Sequence, residues 1–284
     1  MPATQMKPYL TMRVGGPARG IYIPRQIRGL REFILLCKRD KVALLPLGNG
    51  SNIIVPDKGT RKIFVKLSAP FFKSKAVCEN SITCGAGLGL NEFCNIAEEH
   101  GLGGAEFLVG IPGTIGGAII QNAGVHQREI SDIIEQIRCV DRSGRLISLS
   151  PRQAGLEYRF SHMKNLIIVS ATFGLKRCKR LIVRNRINRY IKERLLTQDY
   201  TAPSAGCIFK NPETNSISAG ELIDRCGLKG IRIGGAMVSR RHANFIINKS
   251  NATAKDVLEL IQLIKKEVEA KEGIVLKQEV EVVS

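Results

Sequence analysis

The decapeptide PSAGCIFKNP, residues 203 to 212, sets one thiol, Cys207, between a glycine turn and a Phe-Lys-Asn run. A free thiol ionises near ~8.5, far below a hydroxyl, so a mostly protonated cysteine releases its proton readily at neutral pH. Two other readings of a lone cysteine compete: a small buried hydrophobe, and a thiolate created by a neighbouring cation. In Glu157-Tyr158-Arg159-Phe160-Ser161 an arginine stands between two aromatics. A guanidinium held rigid there presents a two-pronged donor to a carboxylate; the plain alternative is a surface arginine beside a core phenylalanine. In the closing IVLKQEVEVV, strand alternation puts Ile274, Leu276, Val280 and Val282 on one face and Lys277, Glu279 and Glu281 on the other. Solvent is the default for that charged face.

Two glycine-rich segments have the composition to approach an anion. Gly48-Asn49-Gly50-Ser51-Asn52 follows a strand, where two glycines permit unusual backbone angles and the polar side chains flank exposed amides. Such a loop holds a diphosphate or is a tight turn with no ligand. The segment IPGTIGGAIIQNAG, residues 111 to 124, concentrates Pro112, Gly113, Thr114, Gly116, Gly117 and Gly124. Close helix-to-strand packing accounts for Gly116 and Gly117 but not for the glycine density together with Thr114 and Asn122, so a ligand is the favoured reading. Gly85, Gly87 and Gly89 do not fit GxGxxG, which excludes a Rossmann fingerprint at that turn.

The elements that must position these residues are partly legible. ARGIYIP, then a helical QIRGLREFILLCKRDK with Leu30, Phe33, Ile34 and Cys37 inward, then VALLPLGNGSNIIV predict one strand-helix-strand unit. Residues 131 to 174 alternate in short runs about a hairpin turn at Asp141 to Gly144, predicting an antiparallel sheet. A last helix starts at Thr253, with Asp256 completing a capping box, buries Val257, Leu260, Ile261, Ile264 and Val268, and stops at Gly273.

Composition excludes several classes. The 284 residues are 44% hydrophobic and 24% charged, ordinary for a globular α/β protein and long enough for two or three domains. The chain shows no signal-peptide core and no run apolar enough for a membrane span, which makes the cytoplasm the default. Eight cysteines without CxxC or zinc spacing read as reduced thiols, and no metal site is expected. Net charge is +18, and nine of the 19 residues from 176 to 194 are basic. That run is read as a solvated helix face rather than a nucleic-acid surface, because aromatic stacking platforms are missing.

With PSAGCIFKNP, LGNGSNIIV, IPGTIGGAIIQNAG, YRFS and LKQEVEVV falling in order between about residues 9 and 283, the sequence resembles the UDP-N-acetylenolpyruvoylglucosamine reductase (MurB) family, in its compact form. The resemblance implies an α+β protein: a two-part FAD-binding fold like that of vanillyl-alcohol-oxidase enzymes, plus a C-terminal α+β substrate-binding domain. The implied division is 1–66 with a returning strand at 279–284, then 67–176, a basic helical linker at 177–195, and 196–278. The implied reaction takes hydride from NADPH onto FAD and then to UDP-N-acetylglucosamine enolpyruvate, giving UDP-N-acetylmuramate for peptidoglycan.

By the same resemblance, Arg159 and Glu279 stabilise an enolate. Cys207, where the family usually has serine, protonates its carbon. Glu279 is expected to be protonated, its pKa raised by burial. Gly48 to Asn52, Pro112, Gly113, Thr114, Gly116, Gly117 and Gly124 match the flavin-binding segments. Tyr158, Lys210, Asn211, Lys229 and His242 are the substrate candidates, with a structural role equally open for His242. His126 follows NAG where the family often has a substrate-contacting tyrosine. A monomer acting without nucleic acid or membrane is expected; an FAD oxidase on the same fold and a basic nucleic-acid-binding protein are the alternatives.

Overall fold

The computed structural model describes residues 2–125, 127–212 and 217–283, so His126 lies outside the described residues. The chain divides into two compact units, one of residues 21–49 and 62–194 and one of residues 1–20, 50–61 and 195–284.

In the first unit, helix Ile27–Arg39 buries Leu30, Ile34 and Cys37. The strand after it is short. It covers Leu44–Leu47 and pairs in parallel with Thr60–Lys66, so the glycine loop begins immediately at its end, as expected. The sheet expected from residues 131 to 174 is present and larger. Its order is Leu146–Leu149, Ile134–Val140, Ile167–Gly174, Ser81–Gly85, Lys75–Cys78, with antiparallel neighbours throughout. Asp141 makes the hairpin turn: its Oδ1 accepts the Ser143 and Arg145 amides at 2.7 and 2.9 Å. Phe93, Phe107 and Phe173 are fully buried in the core over this sheet.

The basic run is a helix, Arg180–Thr197, and it is not a free rod. Val183, Ile187 and Tyr190 enter the same core. Arg180 and Arg184 pair with Glu98 at 3.3 and 2.7 Å, and Arg186 with Glu106 at 3.3 Å. Part of the positive charge therefore meets carboxylates of its own unit.

In the second unit, an antiparallel sheet runs in the order Ser204–Cys207, Phe245–Asn248, Ala236–Val238, Arg232–Ile233. Helix Ala254–Glu272 covers it and buries the five apolar residues expected. Its capping box is intact, with the Asp256 amide on Thr253 Oγ1 at 3.1 Å, and Gly273 ends it at φ +67. The closing segment differs from expectation. Only Glu281–Val282 is strand, parallel to Ile53–Ile54, and Leu276, Val280 and Val283 are buried while Val282 is exposed. The single bridge from Gln278 to Phe209 leaves the segment extended but irregular, so strict alternation does not hold.

Candidate active site

The residues singled out from the sequence fall into three groups. The first is the pair of glycine segments. Thr114 caps helix Ile115–Ile120, its Oγ1 accepting the Gly117 amide at 3.4 Å. Gly48 faces this cap: a Cβ there would stand 2.8 Å from Thr114 Oγ1, so only a glycine lets the start of the glycine loop approach the capping threonine this closely. Lys66 donates to the Gly48 carbonyl at 2.8 Å. Burial, and Lys73 nearby, hold the Lys66 ammonium below its usual pKa. Pro112 and Gly117 are exposed, and a Cβ on Gly117 would meet nothing nearer than 3.5 Å. An accessible backbone surface beside a half-buried cation fits an anionic diphosphate such as that of FAD.

The remaining glycines in these segments have packing reasons. Gly116 donates to the Ala86 carbonyl at 2.9 Å and lies too close to Ala86 for a side chain to sit freely. A Cβ on Gly124 would collide with the Arg128 carbonyl across a short hairpin. Gly50, at φ +66, leaves no room for a Cβ beside Tyr9 and Leu10. Ser51 is half-buried and Asn49 exposed, while the Asn52 amide donates to the Glu279 carbonyl at 3.2 Å.

The second group surrounds Arg159. Strands Leu156–Glu157 and Phe160–Ser161 form a hairpin whose two central residues are Tyr158 and Arg159, with Arg159 at φ +52. Its guanidinium donates to the carbonyls of Asn122 at 3.3 Å and Gly124 at 2.7 Å and lies over the Tyr158 ring at 5.3 Å. Tyr158 itself is exposed. The structure therefore joins YRFS to the NAG turn of the glycine segment, a connection that sequence spacing does not show.

The third group lies in the other unit and is built on main chain. Ser204 pairs with Ile247 but Cys207 with Phe245, so one extra residue bulges between them, and Gly206 takes φ +72 there. Bulges re-aim side chains and recur beside active sites. Beyond it, the Glu279 amide donates to the Ile208 carbonyl at 2.8 Å and the Lys210 amide to the Lys277 carbonyl at 2.9 Å. Cys207 and Glu279 are thus brought together on one ladder, both half-buried.

Asn244, 3% exposed, completes the ladder from the opposite side. Its Oδ1 accepts the Phe209 amide at 2.9 Å and its Nδ2 donates to the Phe209 carbonyl at 2.8 Å. Nothing but a buried asparagine between two apolar residues marks it in the sequence. The Asn244 amide donates to His242 Nδ1 at 3.2 Å. Burial first, and Lys229 in addition, lower the His242 pKa, so the ring is neutral with its proton on Nε2. Lys229 pairs with Asp224 at 2.6 Å. Asn211 Oδ1 accepts the Ala219 amide at 3.0 Å, at the start of helix Ala219–Arg225, and Lys210 is half-buried.

Cys207 is half-buried, as is Cys178, whereas five of the eight thiols are buried. Burial pushes the Cys84 thiol up to about 12 and the Cys139 thiol to about 11, which makes both inert at neutral pH. Among the described residues no cluster suits a metal ion.

Comparison with known proteins bears on these groups. A family model for the C-terminal domain of UDP-N-acetylenolpyruvoylglucosamine reductase matches residues 198–283, and a model for an FAD binding domain matches residues 18–150. The UDP-N-acetylenolpyruvoylglucosamine reductase of Syntrophomonas wolfei is 37% identical over 98% of this chain and 93% of its own. That of Clostridium botulinum strain Eklund 17B is 40% identical over 98% and 91%. The crystal structure of the Thermus caldophilus MurB enzyme superposes with TM-score 0.85 at 33% identity, covering 99% of this chain and 98% of that one. A glucose dehydrogenase, Phl p 4.0202, superposes at TM-score 0.51 and 12% identity over 61% of this chain and 39% of its own, a likeness of fold alone. The expected α+β architecture, an FAD-binding fold followed by a distinct C-terminal domain, is the one found, and the chain belongs to the UDP-N-acetylenolpyruvoylglucosamine reductase (MurB) family.

Proposed function

We propose that this chain reduces UDP-N-acetylglucosamine enolpyruvate to UDP-N-acetylmuramate for peptidoglycan precursor synthesis, with FAD bound and NADPH as co-substrate, and that Cys207, Glu279 and Arg159 serve the substrate half of the reaction. When bound, FAD accepts hydride from NADPH and returns it to the enolpyruvyl double bond. Gly48 to Asn52 and the Pro112 to Gly117 segment would hold its diphosphate, with the Thr114 cap and Lys66 beneath Gly48 in support.

Hydride addition places charge on the carbon beside a carboxylate, and the dianionic enolate that results is costly unless donors are already in place. Arg159 supplies a cation whose direction is fixed by two carbonyls. Glu279 supplies a second donor in its protonated form. Cys207 then delivers its proton to the enolate carbon and is left as a thiolate to be reprotonated from solvent. The observation that carries this reading is the ladder joining the Glu279 amide to the Ile208 carbonyl at 2.8 Å, which brings the main chain of Glu279 beside the residue next to Cys207. Lys210, Asn211, Lys229 and the Nε2 proton of neutral His242 are the proposed contacts to the UDP-sugar, and Tyr158 a contact beside Arg159.

No helix among the described residues is long and apolar enough to cross a membrane. We place the protein in the cytoplasm as a monomer that needs no nucleic acid. The test is anaerobic. NADPH should bleach the flavin band of the purified protein, and UDP-N-acetylglucosamine enolpyruvate should restore it within seconds. Bleaching without recolouring by the substrate, or recolouring only by oxygen, would point instead to an oxidase.

A further inference from the structure

Arg159 occupies the tip of a hairpin with only two residue pairs in its strands, too little pairing to fix a long side chain at its turn. Something else must hold it. We propose that Asn122, anchored by Glu129, is the positioning residue that aims the Arg159 guanidinium, and so governs substrate reduction while leaving flavin reduction untouched. The inference rests on the reading of Arg159 given above.

Asn122 is fully buried and takes φ +40. One proton of its side-chain amide goes to Glu129 Oε2 at 2.6 Å and the other to the Glu157 carbonyl at 3.0 Å. Its Oδ1 accepts the Ser131 amide at 3.2 Å, and its own main-chain carbonyl accepts Arg159 Nη1. A single side chain therefore ties together the NAG turn, the segment from Glu129 to Ile133 and the hairpin that bears Arg159. The bond to the Glu157 carbonyl fixes the strand entering the Tyr158-Arg159 turn. The two carbonyls that grip the guanidinium belong to Asn122 itself and to Gly124, two residues on.

Glu129 fixes the asparagine in turn. Its carboxylate also caps the turn Ile130–Ile133, and it pairs directly with Gly124 across the hairpin Gly124–Val125 and Arg128–Glu129. The carboxylate that orients Asn122 thus stands on the residue opposite the second carbonyl holding Arg159. Aspartate at 122 would meet the Glu129 carboxylate with an oxygen where a donor is needed, and an aliphatic residue would remove the side-chain bond to the Glu157 carbonyl. Buried groups with all their partners present rigidify a site, and partly satisfied ones loosen it.

A misaimed guanidinium costs rate only where it stabilises charge. NADPH oxidation does not need it; enolate formation does. Stopped-flow absorbance on the FAD-loaded enzyme separates the two halves. For Asn122→Ala and Glu129→Ala, bleaching by NADPH should stay within about twofold of wild type, while recolouring by UDP-N-acetylglucosamine enolpyruvate should slow by on the order of 10- to 100-fold. Glu129→Gln, which keeps an acceptor oxygen for Asn122, should slow less than Glu129→Ala. In the Arg159→Ala background, adding Asn122→Ala should slow recolouring no further, because the two act through one group.

Equal slowing of both halves in Glu129→Ala would make the cluster a general fold element and overturn the proposal. So would additive losses in the double variant. Should Asn122→Ala fail to fold with flavin, the half-buried Glu129 variants decide alone. Wild-type recolouring in Arg159→Ala would remove the reading of Arg159 itself; slow recolouring there with normal rates in both Asn122→Ala and Glu129→Ala would remove only the clamp.

Discussion

The two groups of candidate residues, one in each unit, are held by different means. Around Cys207 and Glu279 the bonds described run mainly between main-chain groups, from the Glu279 amide to Ile208 and from Lys210 to Lys277, with the Asn244 and Asn52 side chains joining in. Around Arg159 the guanidinium bonds main-chain carbonyls, but the turn that offers them is held by side chains, Asn122 and Glu129 above all. A main-chain ladder is indifferent to what residue 207 carries. A side-chain hub has no such freedom, because each member's donors and acceptors are individually matched.

The contrast can be broken or sharpened by substitution. The largest effect is expected for Arg159→Ala, which removes a charge-stabilising donor and should slow recolouring of reduced enzyme by about 100- to 1000-fold, roughly 3 to 4 kcal/mol. Bleaching by NADPH in the same sample checks that the fold is intact. Gly124→Ala comes next. Its Cβ would strike the Arg128 carbonyl, and the hairpin facing Arg159 must shift, at a cost of about 3 kcal/mol in urea unfolding, with slowed recolouring. An unchanged urea midpoint would show that the hub yields more easily than its bonding implies.

On the ladder side, Asn244→Ala leaves the Phe209 amide and carbonyl without their side-chain partner and should cost about 2 kcal/mol of stability. If the ladder bears the load, recolouring should fall by less than in Asn122→Ala. The smallest effect concerns acid. The His242 pKa is lowered in the folded protein, so the unfolded chain binds that proton more readily. The associated stability is present above about pH 6.5 and is lost as pH falls toward the depressed value. His242→Gln should flatten the decline between about pH 7 and 5 in thermal denaturation curves. An unaltered profile would contradict it.

Local signals gave the clearest expectations. Thr253 with Asp256, Gly273 and the Asp141 turn each have a short-range mechanism that no distant contact overrides, and all three form as read. Glycine was legible only in part. Gly117 at an exposed helix start and Gly124 against the Arg128 carbonyl look alike in sequence, and only packing tells an open surface from a steric need. The NAG turn could be marked as unusual, but its bond to Arg159 joins residues 37 apart and has no periodic trace. The closing segment misled because alternation assumes continuous pairing. Here pairing is confined to Glu281–Val282 and one bridge, and Val283 rather than Val282 is buried.

The central claim is that Cys207 delivers the proton. Its most direct test mixes NADPH-reduced wild-type, Cys207→Ser and Cys207→Ala enzymes anaerobically with UDP-N-acetylglucosamine enolpyruvate and follows both flavin colour and product. All three should bleach alike. Cys207→Ser should form UDP-N-acetylmuramate within about tenfold of the wild-type rate, and Cys207→Ala about 100- to 10,000-fold more slowly. Product formation by Cys207→Ala at the wild-type rate would contradict the account and assign the proton to another acid.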